Sequence, residues 1–380
     1  MLLFNALHVT GEANLFRMAV EQMRKVLLLP SKARMQDVAK LAGVASMTVS
    51  RVLNNSGPVT QETRQRVHQA IKTLNYRPNP FARSLRREKS NSIGIIVPNF
   101  YDPFFANCAH AISMVAKKHH FSVSVATSEE DSRIEFTEAS LMASNRVAGI
   151  AVIPAAMGKS RLNRPEFHAT QIVTLDRPIQ GHRFNSVLVE NEQGSAAAVK
   201  HLIGHGFKKI VYLGLSERLY TINARYQGYR TAMLQAGLAP DQSFICSSQE
   251  ETLAAIRKTM ASRRTPTAFF MSNNLVTRHA LHALSQLNLS IPDDVAVVGF
   301  DDFEMADIFN PAITVVRQPA LELGNVAAEL LFSRIQDKNG PENGQQIVLP
   351  VDMIVRQSCG CNPRSATPTS TLRMNQVETY

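Results

Sequence analysis

Ser46, Met47 and Arg51 belong to residues 35–54, MQDVAKLAGVASMTVSRVLN, and their side chains suit the edges of base pairs. Arg51 can pair with guanine O6 and N7, Ser46 can donate or accept, and Met47 can meet only a thymine methyl. The hydroxyls of Thr48 and Ser50, with Arg64, Arg66 and Arg77, suit phosphate oxygens. Ser50 has an alternative partner in its own helix backbone. These groups converge on DNA only if they share one helix face. The pattern predicts a short first helix with Val38, Ala39 and Leu41 on its apolar side, a tight turn at Gly43, and a second helix opening on Ser46. Val49, Val52 and Leu53 fall on the buried side of that second helix, which leaves Ser46, Met47 and Arg51 outward, as a helix entering a major groove requires. A third helix is predicted over 61–74, with Thr60 as N-cap and Val67, Ala70, Ile71 and Leu74 at helical spacing to close the bundle. Tyr76 has two readings, packing against the bundle or contacting a phosphate.

The charge agrees. The chain of 380 residues carries 41 basic and 31 acidic side chains, a net of +10. Residues 31–90 hold 12 basic and 3 acidic, so nearly all of the excess sits on this one module. No uninterrupted apolar run of membrane-spanning length occurs, and residues 1–16 lack the basic start and apolar core of a signal peptide. Both point to a cytoplasmic, nucleoid-associated protein. Residues 1–30 read as an extension, either disordered or placed by a translation start assigned too far upstream, and residues 359–380 read as a disordered tail. The four cysteines are scattered. Cys359-Gly-Cys361 reads as too close and too isolated for a four-ligand metal site, and no histidine follows it. His205, within Gly204-His205-Gly206, reads as a surface residue of a helix-to-strand turn. The chain has no GxSxG elbow, Walker loop, HExxH or GxGxxG. No catalytic residue, metal or cofactor is expected.

Prolines 78 and 80 end the third helix, and residues 81–87, FARSLRR, follow as a short segment that can fold on DNA. Leu85 is an apolar residue in this basic setting, suited to a wedge between base pairs in the minor groove. DVAKLAGVASMTVSRVLN, the 60–77 helix running into NYRPN, and ARSL at 82–85 resemble the lactose-repressor/purine-repressor family of bacterial transcription factors. The resemblance continues to about residue 358. It implies base-reading roles for Ser46, Met47 and Arg51, a minor-groove role for Leu85, and a hinge helix containing Ala82 and Arg83. Pro80-Phe81 departs from it, standing where small residues are usual.

From residue 92 the character changes. Apolar strand-like runs (SIGIIVPN, GIAVIPA, IVTLD, KKIVYLG, VAVVGFD) alternate with helix-like stretches, predicting doubly wound α/β layers. The cycle restarts near residue 190, which suggests two lobes with a cleft between them. The expected fold is therefore an all-α helix-turn-helix head (31–78), a hinge and linker (79–90), and a two-lobed periplasmic-binding-protein-like domain of two doubly wound parallel sheets (91–358). By resemblance, lobe one takes about 91–188 and 316–340, and lobe two about 189–315 and 345–358. Loops at strand ends should line the cleft. Phe100, Tyr101, Asp102 and Phe105 follow the first strand, Asp176 the fourth; Arg225 opens a helix, and Asn273 and Asp301 follow later strands. Arg225, Asn273 and Asp301 match the family's recurrent effector contacts, and Arg218 or Arg177 offers an extra cation for an acidic ligand. For Arg225, Asn273 and Asp301 the alternative is a lobe-orienting salt bridge or a helix cap, and for Phe100 and Phe105 it is a place in the core.

The resulting expectation is a ligand-responsive regulator, a repressor by resemblance, binding a palindromic operator as a homodimer and controlled by a sugar or sugar acid. A periplasmic-type sugar-binding protein and an effector-independent DNA binder are the alternatives.

Overall fold

The computed structural model describes residues 33–53, 56–76, 91–155, 160–179, 184–240, 243–261, 266–337 and 344–361. The chain divides between Glu88 and Lys89 into two compact units. Of the expected DNA contacts, Arg77, Ala82, Arg83 and Leu85 lie outside the described residues, as does the expected 1–30 extension.

The first unit contains α1 (Met35–Ala42), α2 (Ser46–Leu53) and α3 (Gln61–Thr73). Asp37 accepts from the Arg34 backbone N–H at 2.7 Å at the start of α1. At its end Gly43 takes φ +63, and Val44 N–H reaches back to the Ala39 carbonyl at 3.0 Å. Glycine carries no Cβ penalty in that left-handed conformation, so the chain reverses in a few residues into α2. The Thr60 hydroxyl caps α3 by accepting from Thr63 N–H. Val38, Ala39, Ala42, Val49, Val52, Val67, Ala70 and Tyr76 form the core. Tyr76 thus takes its packing role. Leu41 corrects the expectation: it is 53% exposed, and Ala42 is buried instead. One residue turns a helix by about 100°, enough to carry Leu41 off the face that Val38, Ala39 and Ala42 share.

The second unit holds two six-stranded sheets. Lobe one runs β1 (Ser92–Val97), α4 (Pro103–Lys118), β2 (Ser122–Thr127), α5 (Ser132–Ser144), β3 (Gly149–Val152), β4 (Gln171–Leu175) and β5 (Asn185–Val189). Lobe two runs α6 (Asn191–Gly204), β6 (Lys209–Gly214), α7 (Tyr220–Gln235), β7 (Ser243–Ile245), α8 (Gln249–Ala261), β8 (Thr267–Met271), α9 (Asn274–Gln286), β9 (Val295–Phe300) and β10 (Thr314–Arg317). The chain then returns through α10 (Ala320–Gln336) and β11 (Gln346–Leu349) before ending in β12 (Asp352–Ile354). Strand orders are β11-β5-β4-β3-β1-β2 and β12-β10-β9-β8-β6-β7. All pairings are parallel except β10 with β12. Helices cover both faces of each sheet, so the inner strands β1, β3, β4, β5, β6, β8 and β9 are buried on both sides and read as mostly apolar runs.

Three corrections follow. β11 pairs with β5 in the first sheet, so residues 346–349 belong to lobe one, while β10 keeps 316–317 in lobe two. The lobes are consequently joined by three short crossovers, after β5, β10 and β11. Arg225 does not open its helix; α7 begins at Tyr220 and carries Arg225 in its second turn. Residues 359–361 are not tail: Cys359 is fully buried and its neighbour Ser358 bonds to β9. Two elements, β7 and α8, fall where the sequence reading names none.

The helices α6 and α7 meet at Gly228, where a Cβ would press on the Glu192 carbonyl oxygen and the Ser195 side chain. Backbone cannot yield as a flexible side chain does. Gly228→Ala is expected to destabilise the second unit by about 1–3 kcal/mol, visible as a lower Tm; an unchanged Tm would mean that the two helices separate freely.

Candidate effector site and nucleic-acid interface

In the first unit Ser46, Met47 and Arg51 are all exposed on α2, with Met47 at 62%, while Val49 and Val52 are buried beneath them. Thr48 and Ser50 are half-buried. The Arg51 stem lies beside Gly57, where a Cβ would meet Arg51 Cδ at 3.5 Å. The three residues expected to read bases are thus presented together on one face of a helix whose other face is core.

In the second unit both sheets place their switch points, β1 beside β3 and β6 beside β8, toward a shared cleft. A cavity of about 160 Å³ lies there. Of the expected effector residues, Tyr101, Asp102, Phe105, Asp176, Arg225, Asn273 and Asp301 line it. Phe100, which is 52% exposed, and Arg218, which is exposed, do not. Arg177 does, and so do Glu130, Arg278 and Gln318, which the sequence reading did not select. Gln318 sits on the crossover after β10; the resemblance implies that the chain passes between the lobes there, but no local signal marks this residue as one that lines the cavity.

Arg225 is 2% exposed and is held through Nε and Nη1. Its Nε donates to Asn191 Oδ1 at 2.8 Å, and Nη1 donates to the Ser272 carbonyl at 2.7 Å and to Asp301 Oδ2 at 3.2 Å. The guanidinium also lies 3.8 Å from the Phe300 ring centroid. Asp301 accepts from Gln318 Nε2 on its other oxygen and takes φ +70 at the end of β9. Burial raises the Asp301 pKa, and the charge of Arg225 opposes the rise.

Across the cleft, Arg177 forms a two-point pair with Glu130, at 2.6 and 2.8 Å, and donates to the Pro154 carbonyl. Its Nε lies 3.2 Å from Asp176 Oδ2, near enough for an ion pair but not aligned for a hydrogen bond. Asp176 Oδ1 and Gln318 Oε1 are buried and have no hydrogen-bond partner. Burial pushes the Asp176 carboxyl up to about 6, against the pull of Arg177 and Arg225. Asn273 Oδ1 caps α9 by accepting from Val276 N–H at 3.0 Å, so its cap role is real and its Nδ2 hydrogens remain for other partners. A hydrogen bond spans the lobes where Asn274 Nδ2 donates to Asp102 Oδ1 at 2.9 Å, while Asp102 also caps α4 through Phe104 N–H.

Known proteins share this plan. Residues 34–79 match the family described as bacterial regulatory proteins, lacI family, and residues 199–359 match the periplasmic binding protein-like domain. The HTH-type transcriptional repressor PurR of Histophilus somni is 32% identical over 330 residues, covering 86% of this chain and 98% of that protein. The chain belongs to the LacI family. A second relative, the PurR repressor of Aliivibrio fischeri strain MJ11, is 30% identical across 81% of this chain and 93% of that one. Among solved structures, a lac repressor dimer bound to operator and the anti-inducer ONPF has a TM-score of 0.77 at 24% identity, covering 87% of this chain and 99% of that one. The transcriptional regulator CelR in its cellobiose complex has a TM-score of 0.63 at 27% identity, covering 86% and 99%. This LacI-family chain is a ligand-responsive DNA-binding transcriptional repressor and not an enzyme. Among the described residues no helix is long and apolar enough to cross a membrane.

Because burial raises the Asp176 pKa above its unfolded value, ionisation opposes folding. The stabilisation is full while the carboxyl is protonated in both states and is lost as pH rises through about 6. Asp176→Asn removes that loss. Its Tm, relative to the parent protein without ligand, is expected to climb between about pH 4 and pH 7 and then level off; a difference independent of pH would refute the titration.

Proposed function

We propose that this regulator acts as a homodimer on a near-palindromic operator and is controlled by a small polyhydroxylated effector in the interlobe cavity, a sugar or sugar acid. The observation that carries the effector reading is the cavity wall itself. Fixed acceptors of lobe one and of the crossover after β10, Asp176 Oδ1 and Gln318 Oε1, are buried there without partners beside the Arg225–Asp301 pair. Buried polar atoms without partners are costly, about 1–3 kcal/mol each, and hydroxyl hydrogens are suited to satisfy them. Tyr101 and Phe105 add an apolar wall against which a sugar ring packs.

The homodimer follows from the reading of the head: one helix-turn-helix covers one half-site, and two-fold symmetry reads a palindrome. Ser46, Met47 and Arg51 read bases, with Thr48 and Ser50 on phosphates. Arg77, Ala82, Arg83 and Leu85 complete the interface on the sequence reading alone. An effector that favours one angle between the lobes changes operator affinity, and operator changes effector affinity by the same factor.

The decisive experiment is a thermal-shift and calorimetric screen against sugars, sugar acids, sugar phosphates, nucleosides and purines. A selective, saturable Tm rise with a sugar or sugar acid is expected, abolished in Asp301→Asn, with a cooperative melt of that variant without ligand as the check that it folds. A rise confined to nucleosides or purines would overturn the effector class, and no rise anywhere would favour an effector-independent DNA binder. On operator selected from random DNA, Arg51→Ala is expected to cost about 1–3 kcal/mol and relax preference at one base pair. Leu85→Ala should weaken specific binding much more than non-specific binding, and equal losses would sink the wedge role.

A further inference from the structure

At the far end of α6 from the cavity, the fold gathers side chains that are distant in sequence. His201 and His205 are spaced i, i+4 and so project from one face at the end of α6. Cys359 and Cys361 come from the turn that follows β12. The isolation expected of the Cys359-Gly-Cys361 pair therefore does not hold. Cys361 Sγ lies 3.1 Å from His205 Nε2 and 3.6 Å from His201 Nε2. One ligand atom from each of the four residues falls within 4.8 Å of all the others. Gly360 has φ +95, a conformation that glycine adopts freely, and its N–H bonds to the Gln357 carbonyl at 2.9 Å. This turn is what lets residues two apart bring both thiols to one point.

We infer that His201, His205, Cys359 and Cys361 form a binding site for a thiophilic divalent metal ion of the zinc class. Two imidazoles and two thiolates are a preferred tetrahedral donor set for Zn²⁺. Bond lengths of about 2.3 Å to sulfur and 2.0–2.1 Å to nitrogen place tetrahedral ligand atoms roughly 3.3–3.8 Å apart. The Cys361 contacts to His205 and His201 are already near that spacing, and closing the widest gap takes about 1 Å of side-chain movement. All four positions are filled by protein, so the site is closed and structural, with no coordination position left for a reacting water. His205 is exposed and Cys361 half-exposed, which gives the ion a way in, while Cys359 is fully buried.

The surroundings explain what such an ion would fasten. Cys359 Sγ is within 3.2 Å of Thr314 Oγ1 on β10, and Ser358 donates to the Val297 carbonyl on β9 at 2.7 Å. The ion would therefore tie the end of α6 to the turn after β12 and, through it, to the centre of the second sheet. The opposite end of α6 holds Asn191, the residue that orients Arg225. A clamp here stiffens the element that supports the cavity, independently of which effector binds.

The test uses untagged full-length protein, fully reduced and stripped by chelator. Addition of Co²⁺ is expected to give the intense visible bands of a tetrahedral site together with thiolate charge-transfer absorption, saturating at one ion per chain. Zn²⁺ should bleach those bands and raise the Tm by several degrees, and chelator should reverse the rise. His205→Ala, at an exposed position where the fold tolerates change, and Cys361→Ser should each weaken binding by at least the roughly 10–100-fold that loss of an outer-shell partner costs. Absence of thiolate absorption in the folded, reduced protein would overturn the site. So would octahedral Co²⁺ bands, or binding unchanged in both variants.

Discussion

A guanidinium buried to 2% exposure must be paired, and much of lobe two is arranged around satisfying Arg225. Its four partners come from three separate places: Asn191 at the start of α6, the Ser272 carbonyl after β8, and Phe300 with Asp301 at the end of β9. Removing any partner leaves charge in a low-dielectric setting, so these elements are held in one mutual arrangement. Asp301 passes the constraint onward, since its second oxygen is taken by Gln318 on a crossover between lobes. The electrostatics of one side chain thus reach the chain segment that any change of interlobe angle must bend.

The topology places that pair where a ligand can reach it. Parallel sheets wound in both directions leave a crevice where the winding reverses, and each lobe turns its crevice toward the other. Lobe one supplies Asp176, Arg177 and the loop after β1; lobe two supplies Arg225, Asn273 and Asp301. The Asp102–Asn274 hydrogen bond joins the two halves directly. Three crossovers, each only a few residues long, constrain how the lobes move more than one linker would.

The head follows different physics. Its core is small, built mostly from valine and alanine, and its outward face carries Ser46, Met47 and Arg51 of α2. Positive charge concentrated on this module suits phosphate without sequence preference, and in the function proposed above these three side chains add the distinction between sites.

Sequence alone determined the features that depend on local periodicity and turn chemistry. The turn at Gly43 needs a left-handed residue, the spacing of Val49 and Val52 sets which face of α2 is free, and the apolar runs of β1, β6 and β9 announce buried strands. Local signals failed where small angular or boundary differences matter. Leu41 lies just off the buried arc of α1, and the α7 helix begins five residues before Arg225. The amphipathic α8 was legible in Leu253, Ile256 and Met260, but β7, at three residues, carries too little pattern to identify. Tertiary structure alone decided the long-range partnerships: β11 with β5, Gln318 with Asp301, and His201 and His205 with Cys359 and Cys361. These contacts join residues from 17 to 160 positions apart. Nothing in the local sequence encodes such a distance; it is set by how strands cross between sheets and by the burial that fixes them there.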